Sequence, residues 1–401
     1  IREYHERGSV FGIRKEKFYA NQSGTTANMF GDPISSVVGP AAGPNAQLAQ
    51  NIIAAYLAGA RFMELKTVQV IDGEELRKAV ARPCINAEDE CYNVEGSTEF
   101  TVEGAFEEYV KAWLAIQVLM AEFGLSDRRD FVFNMSVGYD LAGIQSEKVD
   151  HFIEGMKNAS ETKIWKSCLA YLEKKIPEFT NFGKAQLEAV SPAISPSITL
   201  STLHGCPPQE IERIAMYLMT EKNIHTYIKC NPTLLGYECA RKLMDDMGYG
   251  YVAFDDHHFN NDLQLQDAVP MLRRLKETAK QVGKEFGVKI TNTFPVQSDG
   301  KKLPGQEMYM SGRSLFPLSV NVAQVLSEAF EGNLPISFSG GADAFNIRDL
   351  VDIGIRPVTV ATTILKPGGY SRFKQLAEAT EQQLIRTGVG IDVPALTRLC
   401  D

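Results

Sequence analysis

The sequence predicts an α/β fold, a (β/α)8 barrel with insertions, and the first supporting observation lies near its beginning. Residues 34–38 and 61–67 form short apolar segments typical of buried strands, and residues 46–57 between them have the pattern of a helix. A strand, a helix and a second strand within about thirty residues are typical of a βαβ unit, which implies a parallel sheet.

The second observation concerns two apolar segments near the end of the chain, residues 334–339 and 358–363. Gly340 and Gly341 follow the first segment, and the second segment ends in two threonines. Glycine lets backbone N–H groups approach an anion closely, and in (β/α)8 barrels a phosphate site commonly lies after the last two strands. The sequence therefore predicts a phosphate-binding site at the carboxyl ends of this pair.

The remaining apolar segments bring the total to nine candidate strands for the eight positions of a barrel. Besides the four named above, they are residues 131–136, 197–201, 227–230, 249–254 and 288–293. We expect segment 249–254, with a helix predicted at 264–286, to be the extra one. At the first barrel helix, Asn45 is predicted to form the N-terminal cap and Gly59 to end the helix.

Three regions are expected along the chain: a helical arm at 1–32, the barrel at 33–375, and a helix and linker at 376–401 leading towards a further C-terminal region. Because the sequence starts at Ile1 without a methionine, we expect it to be part of a longer protein. Residues 71–104 interrupt the alternation of strands and helices. They predict a long excursion above the barrel, and long loops of this kind are often functional.

The composition indicates a globular protein with a sizeable core. The 401 residues are 44% hydrophobic and 23% charged, which suits one large α/β domain. The net charge of −9 argues against binding to nucleic acid or to an anionic membrane surface. Seven cysteines without a CxxC pair, no signal peptide and no apolar run long enough to span a membrane lead us to expect a cytoplasmic protein.

Two lysines end nearly apolar strands, Lys66 after the second and Lys229 after the fifth. Active-site residues of these barrels lie at the carboxyl ends of the strands. A buried ammonium group is costly unless it meets an anion or an electron-rich acceptor, and a reduced flavin is such an acceptor because negative charge gathers at its pyrimidine edge. The alternatives are that one lysine reaches solvent or pairs with a carboxylate such as Glu64.

Six segments, in this order, resemble the FMN-binding barrel of the dihydroorotate dehydrogenase and dihydropyrimidine dehydrogenase superfamily. They are Gly39–Pro44, Glu64–Thr67, Ile228–Pro232, Thr291–Thr293, Ser339–Gly341 and Ala361–Thr363. The resemblance covers most of the chain and implies a barrel of dihydroorotate dehydrogenase type that holds FMN and acts as an oxidoreductase.

The same resemblance implies roles for individual residues. Lys66 and Lys229 would contact the isoalloxazine ring, and Lys229 would also take part in catalysis. Ala41, Ala42 and Thr67 would line the ring, while Gly312, Gly340, Gly341, Thr362 and Thr363 would surround the phosphate. Asn134, Asn292 and Thr293 would face the flavin and a ring-shaped substrate stacked on it.

The superfamily takes its proton donor or acceptor, a cysteine or a serine, from the loop after the fourth strand, which makes Cys206 the catalytic candidate. Because Cys206 precedes a helix opened by two prolines, the helix dipole is expected to favour its thiolate. Catalysis by His204 and a packing role for Cys206 are the alternatives. The superfamily's pyrimidine-reading amide is absent from residues 199–203, so a different nitrogen heterocycle, such as a purine-like ring, is also expected among the substrates.

Segments Cys84–Cys91, Leu203–Pro208 and Lys366–Tyr370 resemble, more narrowly, the N-terminal part of proteins named as selenate reductase iron–sulfur subunits. In that family the FMN barrel precedes an FAD- and NADPH-binding portion and a ferredoxin-like segment. The resemblance therefore implies FAD, NAD(P)H and [4Fe-4S] partners in the remainder of the polypeptide or in other subunits, and is compatible with an oligomer. Selenate as the direct substrate of the barrel has little chemical support in these residues.

Three functions compete on this evidence. The first is an FMN-dependent oxidoreductase domain that acts on a small heterocycle; the second is an FMN electron relay without its own substrate. The third is an aldolase that uses Lys229 or Lys66 to form a Schiff base. We expect no metal site, because Asp255–His258 with Asp262 has the pattern of a solvated loop and two cysteines are too few to hold a cluster.

Overall fold

The computed structural model describes residues 1–79, 84–94, 98–386 and 390–401, and its centre is an eight-stranded parallel barrel. Successive strands of the chain pair with each other from the second to the eighth, and the eighth strand pairs with the first. Between the first two strands the Arg61 N–H donates to the Val38 carbonyl oxygen at 2.9 Å, which nearly closes the ring. The predicted (β/α)8 barrel is thereby confirmed. Its strands are β1 Val38–Pro40, β2 Phe62–Glu64, β3 Val132–Gly138, β4 Ser197–Ser201, β5 His225–Cys230, β6 Phe286–Ile290, β7 Ile336–Phe338 and β8 Val358–Val360.

The outward-facing side chains of the strands are mostly apolar because helices cover the barrel from outside. Those facing inward are also mostly apolar because side chains fill the barrel interior. All seven residues of β3 are buried, for example. The longer helices that follow the strands are Ala49–Ala58, Val102–Glu122, Glu147–Lys157, Lys163–Lys175, Pro208–Thr220, Tyr237–Asp246, Leu265–Gln281, Phe316–Ala329, Ile347–Ile353 and Arg372–Thr380. Shorter helices occupy Gly73–Ala79, Leu141–Ile144, Lys184–Glu188, His257–Asn261 and Thr362–Leu365.

The first barrel helix ends at Gly59 as predicted, with a φ of 122° that suits glycine. The prediction that Asn45 caps this helix is wrong. The helix begins only after Leu48, whereas Asn45 lies in a preceding 3-10 turn and its Nδ2 donates to the Ala361 carbonyl oxygen at 3.3 Å. Asn45 therefore ties the loop after β1 to the loop after β8.

Segment 249–254, the expected extra strand, is a turn and irregular chain and does not join the barrel. Its Val252 and Phe254 are buried in a separate apolar cluster that also contains Phe294 and Met310. The helix associated with it in the sequence analysis is not extra, since Leu265–Gln281 is the regular helix that leads into β6.

A four-stranded antiparallel sheet lies over the carboxyl ends of the barrel strands, and we call it the cover sheet. Its strands, in spatial order, are Phe294–Gln297, Glu307–Gly312, Glu90–Asn93 and Ile85–Ala87. Two of them come from the predicted excursion 71–104, of which residues 80–83 and 95–97 lie outside the described residues. The excursion thus forms part of a folded sheet together with a segment more than two hundred residues away along the chain.

The expected helical arm at 1–32 is mostly wrong. Its helix is limited to Arg2–Arg7, and two short hairpins follow, Ser9–Val10 with Ile13–Arg14 and Ala27–Met29 with Asp32–Ile34. Glycines with positive φ at the hairpin turns, such as Gly12 at 77° and Gly31 at 88°, stop any helix from continuing.

The helix Val393–Cys400 belongs to the wall of the barrel domain. It packs on the helix Phe316–Ala329 and buries Leu396, and Ile391 N–H donates to the Gly332 carbonyl oxygen at 2.9 Å. The predicted helix and linker at 376–401 include residues 387–389, which the structure does not describe. Among the described residues, no helix combines the length and the apolar character that crossing a membrane requires.

Candidate functional site

A cavity of about 420 Å³ lies between the carboxyl ends of the barrel strands and the cover sheet. Residues at or directly after the carboxyl ends of all eight strands line it, and the cover sheet contributes Cys91, Asn93, Tyr309 and Ser311. This is the face on which barrels of this kind carry their chemistry, and the volume lies within the range of about 300–1,000 Å³ that is usual for ligand pockets.

The cavity brings together twelve of the fourteen residues singled out from the sequence. They are Ala41, Ala42, Lys66, Thr67, Lys229, Asn292, Thr293, Gly312, Gly340, Gly341, Thr362 and Thr363. The two that it does not include are Asn134 and Cys206.

One end of the cavity is built from backbone. Gly340 and Gly341 follow β7, and within the described part of the chain their N–H groups donate no hydrogen bond. A Cβ atom at Gly341 would lie 2.4 Å from the carbonyl oxygen of Gly312, so the two backbones can meet only without side chains. The hydroxyl groups of Thr362 and Thr363 border the same space. Free N–H groups and hydroxyls in a concave surface suit an anion such as a phosphate.

The cavity is cationic although the chain as a whole carries a net charge of −9. Five of its lining side chains are cationic and one is a carboxylate, Asp343, which pairs with Arg313 at 3.1 Å. The other cations are Lys66, Lys229, Lys366 and Arg372. A site with this charge attracts an anionic ligand.

Lys229 ends β5 half-buried beside the cavity, and within the described residues its ammonium group makes no hydrogen bond and no ion pair. Burial lowers the pKa of this lysine below its ordinary value, and the nearby Lys66 ammonium lowers it further, against an opposing pull from Glu64. Lys66 itself is only 2% exposed. Two ammonium groups close together at one end of a cavity favour a negatively charged ligand there.

Lys289 was not among the residues singled out from the sequence, and it is the centre of a polar network beneath the cavity. Its Nζ lies 2.5 Å from Glu64 Oε2 and donates to Thr359 Oγ1 at 2.6 Å and Ser337 Oγ at 3.0 Å. Thr359 in turn lines the cavity. Lys289 and Lys229 face each other in register on β6 and β5. A lysine within an apolar segment is the feature of the sequence that could have indicated this role. Its position inside the barrel, however, follows only from the register of β6 with β5.

Asn134 is buried in the barrel interior and does not line the cavity, contrary to its expected position. Its Nδ2 donates to Thr199 Oγ1 at 2.8 Å, and its Oδ1 accepts from Ser197 Oγ at 2.6 Å. Both partners belong to β4, in register with β3. The two hydroxyl groups of β4 therefore fix the orientation of the Asn134 amide inside the barrel.

Cys206 is half-buried before the helix Pro208–Thr220 but does not line the cavity. Burial raises the pKa of its thiol to about 11, with further contributions from the carboxylates of Glu210 and Asp140. Desolvation and the two carboxylates favour the neutral thiol, which is opposite to the effect expected from the helix dipole. Two residues earlier, His204 does line the cavity.

His204 belongs to a polar cluster with Asp262 and His258, whose ligand atoms all lie within 4.8 Å of one another. The sequence suggested a solvated loop here, but Asp262 is 6% exposed and its carboxylate accepts the hydrogen bond of His204 Nδ1 at 2.8 Å. The two residues are 58 positions apart in the chain, so the sequence offers no signal of their contact.

Fold and site together define a class of protein: a single (β/α)8-barrel domain with a covered, cationic cavity at the carboxyl ends of its strands. Residues 11–401 match the profile of the family described as "Oxidoreductase YgfK, N-terminal TIM-barrel domain". The chain belongs to this family of oxidoreductase domains.

Two relatives from Escherichia coli, of strain K12 and of O157:H7, carry the name "Putative oxidoreductase YgfK". Each is 47% identical to this chain over 409 aligned positions, which cover 99% of this chain and 39% of the relative. The chain thus spans about two fifths of the length of these relatives.

Proposed function

We propose that this chain is the FMN-binding barrel of a larger flavin- and iron–sulfur-dependent oxidoreductase, and that it oxidises or reduces a nitrogen heterocycle of purine or pyrimidine type. The observation that carries the proposal is the pairing of two features in one cavity. Lys229, whose ammonium has no hydrogen bond or ion pair among the described residues, lies at one end of the cavity, and a glycine-lined backbone surface forms the other end. The phosphate of FMN suits the glycine-lined surface, and the electron-rich edge of its ring suits the Lys229 ammonium.

The residues present fit this group. Gly312, Gly340, Gly341, Thr362 and Thr363 would hold the phosphate, while Ala41, Ala42 and Thr67 would lie along the ring. Lys229 and Lys66 would face the ring edge at which negative charge gathers on reduction. When bound, FMN supplies reversible acceptance of a hydride, which none of the side chains can supply. Asn292 and Thr293 would contact the substrate.

The protein's own groups would do the rest of the chemistry. An ammonium fixed beside the ring edge stabilises developing negative charge without reorganisation, because it is already partly desolvated. The cover sheet would limit the access of water to the reacting face. Electrons would be exchanged with FAD, NAD(P)H and [4Fe-4S] centres outside this chain, which agrees with the greater length of its relatives. The fold type and the family name are also consistent with the proposal.

The test begins with the purified protein, incubated with FMN and then freed of unbound flavin. We expect about one FMN per chain, a visible flavin spectrum, and weaker retention of riboflavin, which lacks the phosphate. The Lys229→Met variant should bind FMN more weakly, whereas the exposed Lys242→Gln variant should bind it as the wild type does. A protein that takes up no FMN would contradict the proposal.

A second candidate function, a Schiff-base aldolase, is favoured by the lowered pKa of Lys229, because a neutral amine is the nucleophile in that chemistry. Borohydride reduction in the presence of dihydroxyacetone phosphate distinguishes the two. An adduct on Lys229 together with no FMN uptake supports the aldolase, and the reverse result supports the flavin site. An electron relay would bind FMN but leave it unreactive towards every heterocycle tested.

A further inference from the structure

We propose that His204, held by Asp262, is the residue that exchanges a proton with the substrate in the cavity. This inference rests on the proposed function, since it assigns the acid–base group of the same site. It differs from the sequence-based expectation, which gave that role to Cys206.

The contact between the two residues fixes which ring nitrogen is available. His204 Nδ1 lies 2.8 Å from Asp262 Oδ2, and His204 lines the cavity. Hydrogen bonds from His204, Thr233 and the Gly205 N–H hold the pKa of the Asp262 carboxyl below its usual value, although burial opposes them. An ionised carboxylate only accepts hydrogen bonds, so Nδ1 must carry its proton and Nε2 keeps its lone pair.

The carboxylate is itself held in place from several sides. Thr233 Oγ1 donates to Asp262 Oδ2 at 2.8 Å, Asn231 Nδ2 donates to the same oxygen at 3.2 Å, and the Gly205 N–H donates to Oδ1 at 2.9 Å. A base oriented by a fixed carboxylate is the arrangement that general acid–base catalysis uses. Asp262 is thus a positioning residue.

The same network reaches the expected substrate end of the cavity. Asn292 Nδ2 donates to Asn231 Oδ1 at 2.7 Å, and Asn231 donates to Asp262. Asn292 and His204 both line the cavity. An imidazole and an amide on one connected framework present an acid–base group and a polar recognition group to the same ligand.

The other titratable groups around His204 are few. The ring of His258 lies 4.6 Å away between centroids, and Glu307 Oε2 accepts a hydrogen bond from His258 Nε2 at 2.6 Å. The Tyr309 ring stacks on His204 at 6.2 Å, and burial raises the pKa of that phenol. With Asp262, these are the groups that a pH dependence of His204 must take into account.

A metal ion held by His204, His258 and Asp262 explains the cluster less well. Asp262 Oδ2 already accepts three hydrogen bonds and Oδ1 accepts a fourth. A metal would have to displace several of them, including the His204 contact. The hydrogen-bonded arrangement satisfies the buried carboxylate without an ion.

A reduced ring that is oxidised loses a hydride, with its electron pair, to oxidised flavin and a proton to His204 Nε2. The ring gains a double bond and the imidazole becomes an imidazolium. In the opposite direction the imidazolium returns the proton to the ring that has received the hydride.

The first experiment needs neither flavin nor substrate. Nitrogen-15 NMR of histidine-labelled protein, with His204 assigned by its loss in His204→Gln, should show a protonated Nδ1 and an unprotonated Nε2 above the imidazole pKa. Asp262→Asn should shift this tautomer balance, whereas His257→Gln, an exposed neighbour of the cluster, should not. A protonated Nε2 in the wild type overturns the proposal, whatever the outcome of FMN binding.

The second experiment uses FMN-loaded, photoreduced protein mixed anaerobically with uracil or xanthine, one probe from each ring class. We expect His204→Gln to slow flavin reoxidation by a factor of about 10²–10⁴ for the ring that reacts, and His257→Gln to leave it unchanged. A wild-type rate in His204→Gln overturns the proposal. So does a loss in Cys206→Ser that His204→Gln does not share, or a wild-type protein that binds FMN but reacts with neither ring. Failure to bind FMN at all counts against the proposed function instead.

Discussion

Lys289 Nζ lies 2.5 Å from Glu64 Oε2 inside the barrel, where each side chain is 1% exposed. The contact joins β6 to β2, strands that lie on opposite sides of the barrel with three others between them in either direction. Two ammonium groups, of Lys289 and of Lys229, face the Glu64 carboxyl and hold its pKa below the usual value although burial opposes them. The Glu64 carboxylate thus forms a close ion pair with the Lys289 ammonium beneath the cavity, and it interacts with the Lys229 ammonium only at longer range.

The first prediction concerns this buried pair. Lys289→Met leaves the Glu64 carboxylate uncompensated in the barrel interior, so we expect the free energy of unfolding to fall by about 3–5 kcal/mol. Urea unfolding of the purified protein measures the change. The double variant Glu64→Leu/Lys289→Met, which removes both charges, should recover most of the loss. Equal stability of wild type and Lys289→Met would show that the pair contributes nothing.

Lys229 should behave in the opposite way, because its charge serves a ligand and not the fold. In Lys229→Met the free protein should be at least as stable as the wild type, since the half-buried ammonium that is removed has no close partner in the described part of the chain. Its affinity for FMN should fall about tenfold to a hundredfold, which corresponds to one charge-assisted hydrogen bond. Titration of flavin fluorescence gives the affinity, and thermal unfolding gives the stability. Loss of stability with unchanged affinity would reverse the assignment.

The third prediction is a pH dependence at Cys206. Its thiol pKa is raised to about 11, so the thiolate forms only as the pH rises well above the ordinary thiol value of 9.0. Alkylation by iodoacetamide, followed on the Cys206 peptide by mass spectrometry, should be slow near neutral pH and should accelerate up to about pH 11. Glu210→Gln should shift this profile to lower pH because one of the contributing carboxylates is gone. Rapid alkylation at neutral pH would restore the thiolate interpretation.

The raised pKa of Cys206 also makes the stability of the folded protein depend on pH. Because the folded protein holds the thiol proton more firmly than the unfolded chain does, this group supports the folded state fully below pH 9 and loses that contribution as the pH rises towards 11. Cys206→Ala should remove this part of the alkaline destabilisation.

Strand positions could be predicted from the sequence because both faces of a barrel strand are buried. Apolar runs bounded by glycine, proline or serine therefore mark them directly, and β4 has the predicted bounds Ser197–Ser201. The extra segment 249–254 has the same apolar composition but packs against the cover sheet. The apolar pattern of a segment indicates that the segment is buried. It does not indicate whether the segment packs in the barrel or against another element.

Site residues were predictable where backbone geometry demands a residue type, as at Gly341, and where a charge ends a strand, as at Lys229. The contact of His204 with Asp262 and the pairing of Lys289 with Glu64 depend on register and on tertiary neighbours, which single-sequence patterns do not contain. Asn134 illustrates the same limit, because its strand was predicted correctly but its amide is satisfied by Ser197 and Thr199.

Alanine substitutions at Gly341, in the cavity wall, and at Gly248, on the surface, separate the effect of a steric clash from that of backbone strain. Gly341 has a φ of 85° and Gly248 a φ of 84°, so alanine at either position is held in the left-handed region, at a cost of about 1–2 kcal/mol. A Cβ atom at Gly248 meets nothing within 4 Å, whereas at Gly341 it would lie 2.4 Å from the Gly312 carbonyl oxygen and 2.9 Å from Phe316.

Gly248→Ala should therefore lose only the strain energy and bind FMN as the wild type does. Gly341→Ala should lose about 1–3 kcal/mol more, because the loops after β7 and before Phe316–Ala329 must move apart. That movement displaces the N–H groups proposed to hold the phosphate, so FMN binding should weaken even where the variant stays folded. Urea unfolding and flavin titration of both variants measure these effects. If the two substitutions lower stability equally and neither affects FMN binding, the close approach of Gly312 and Gly341 does not form the phosphate site.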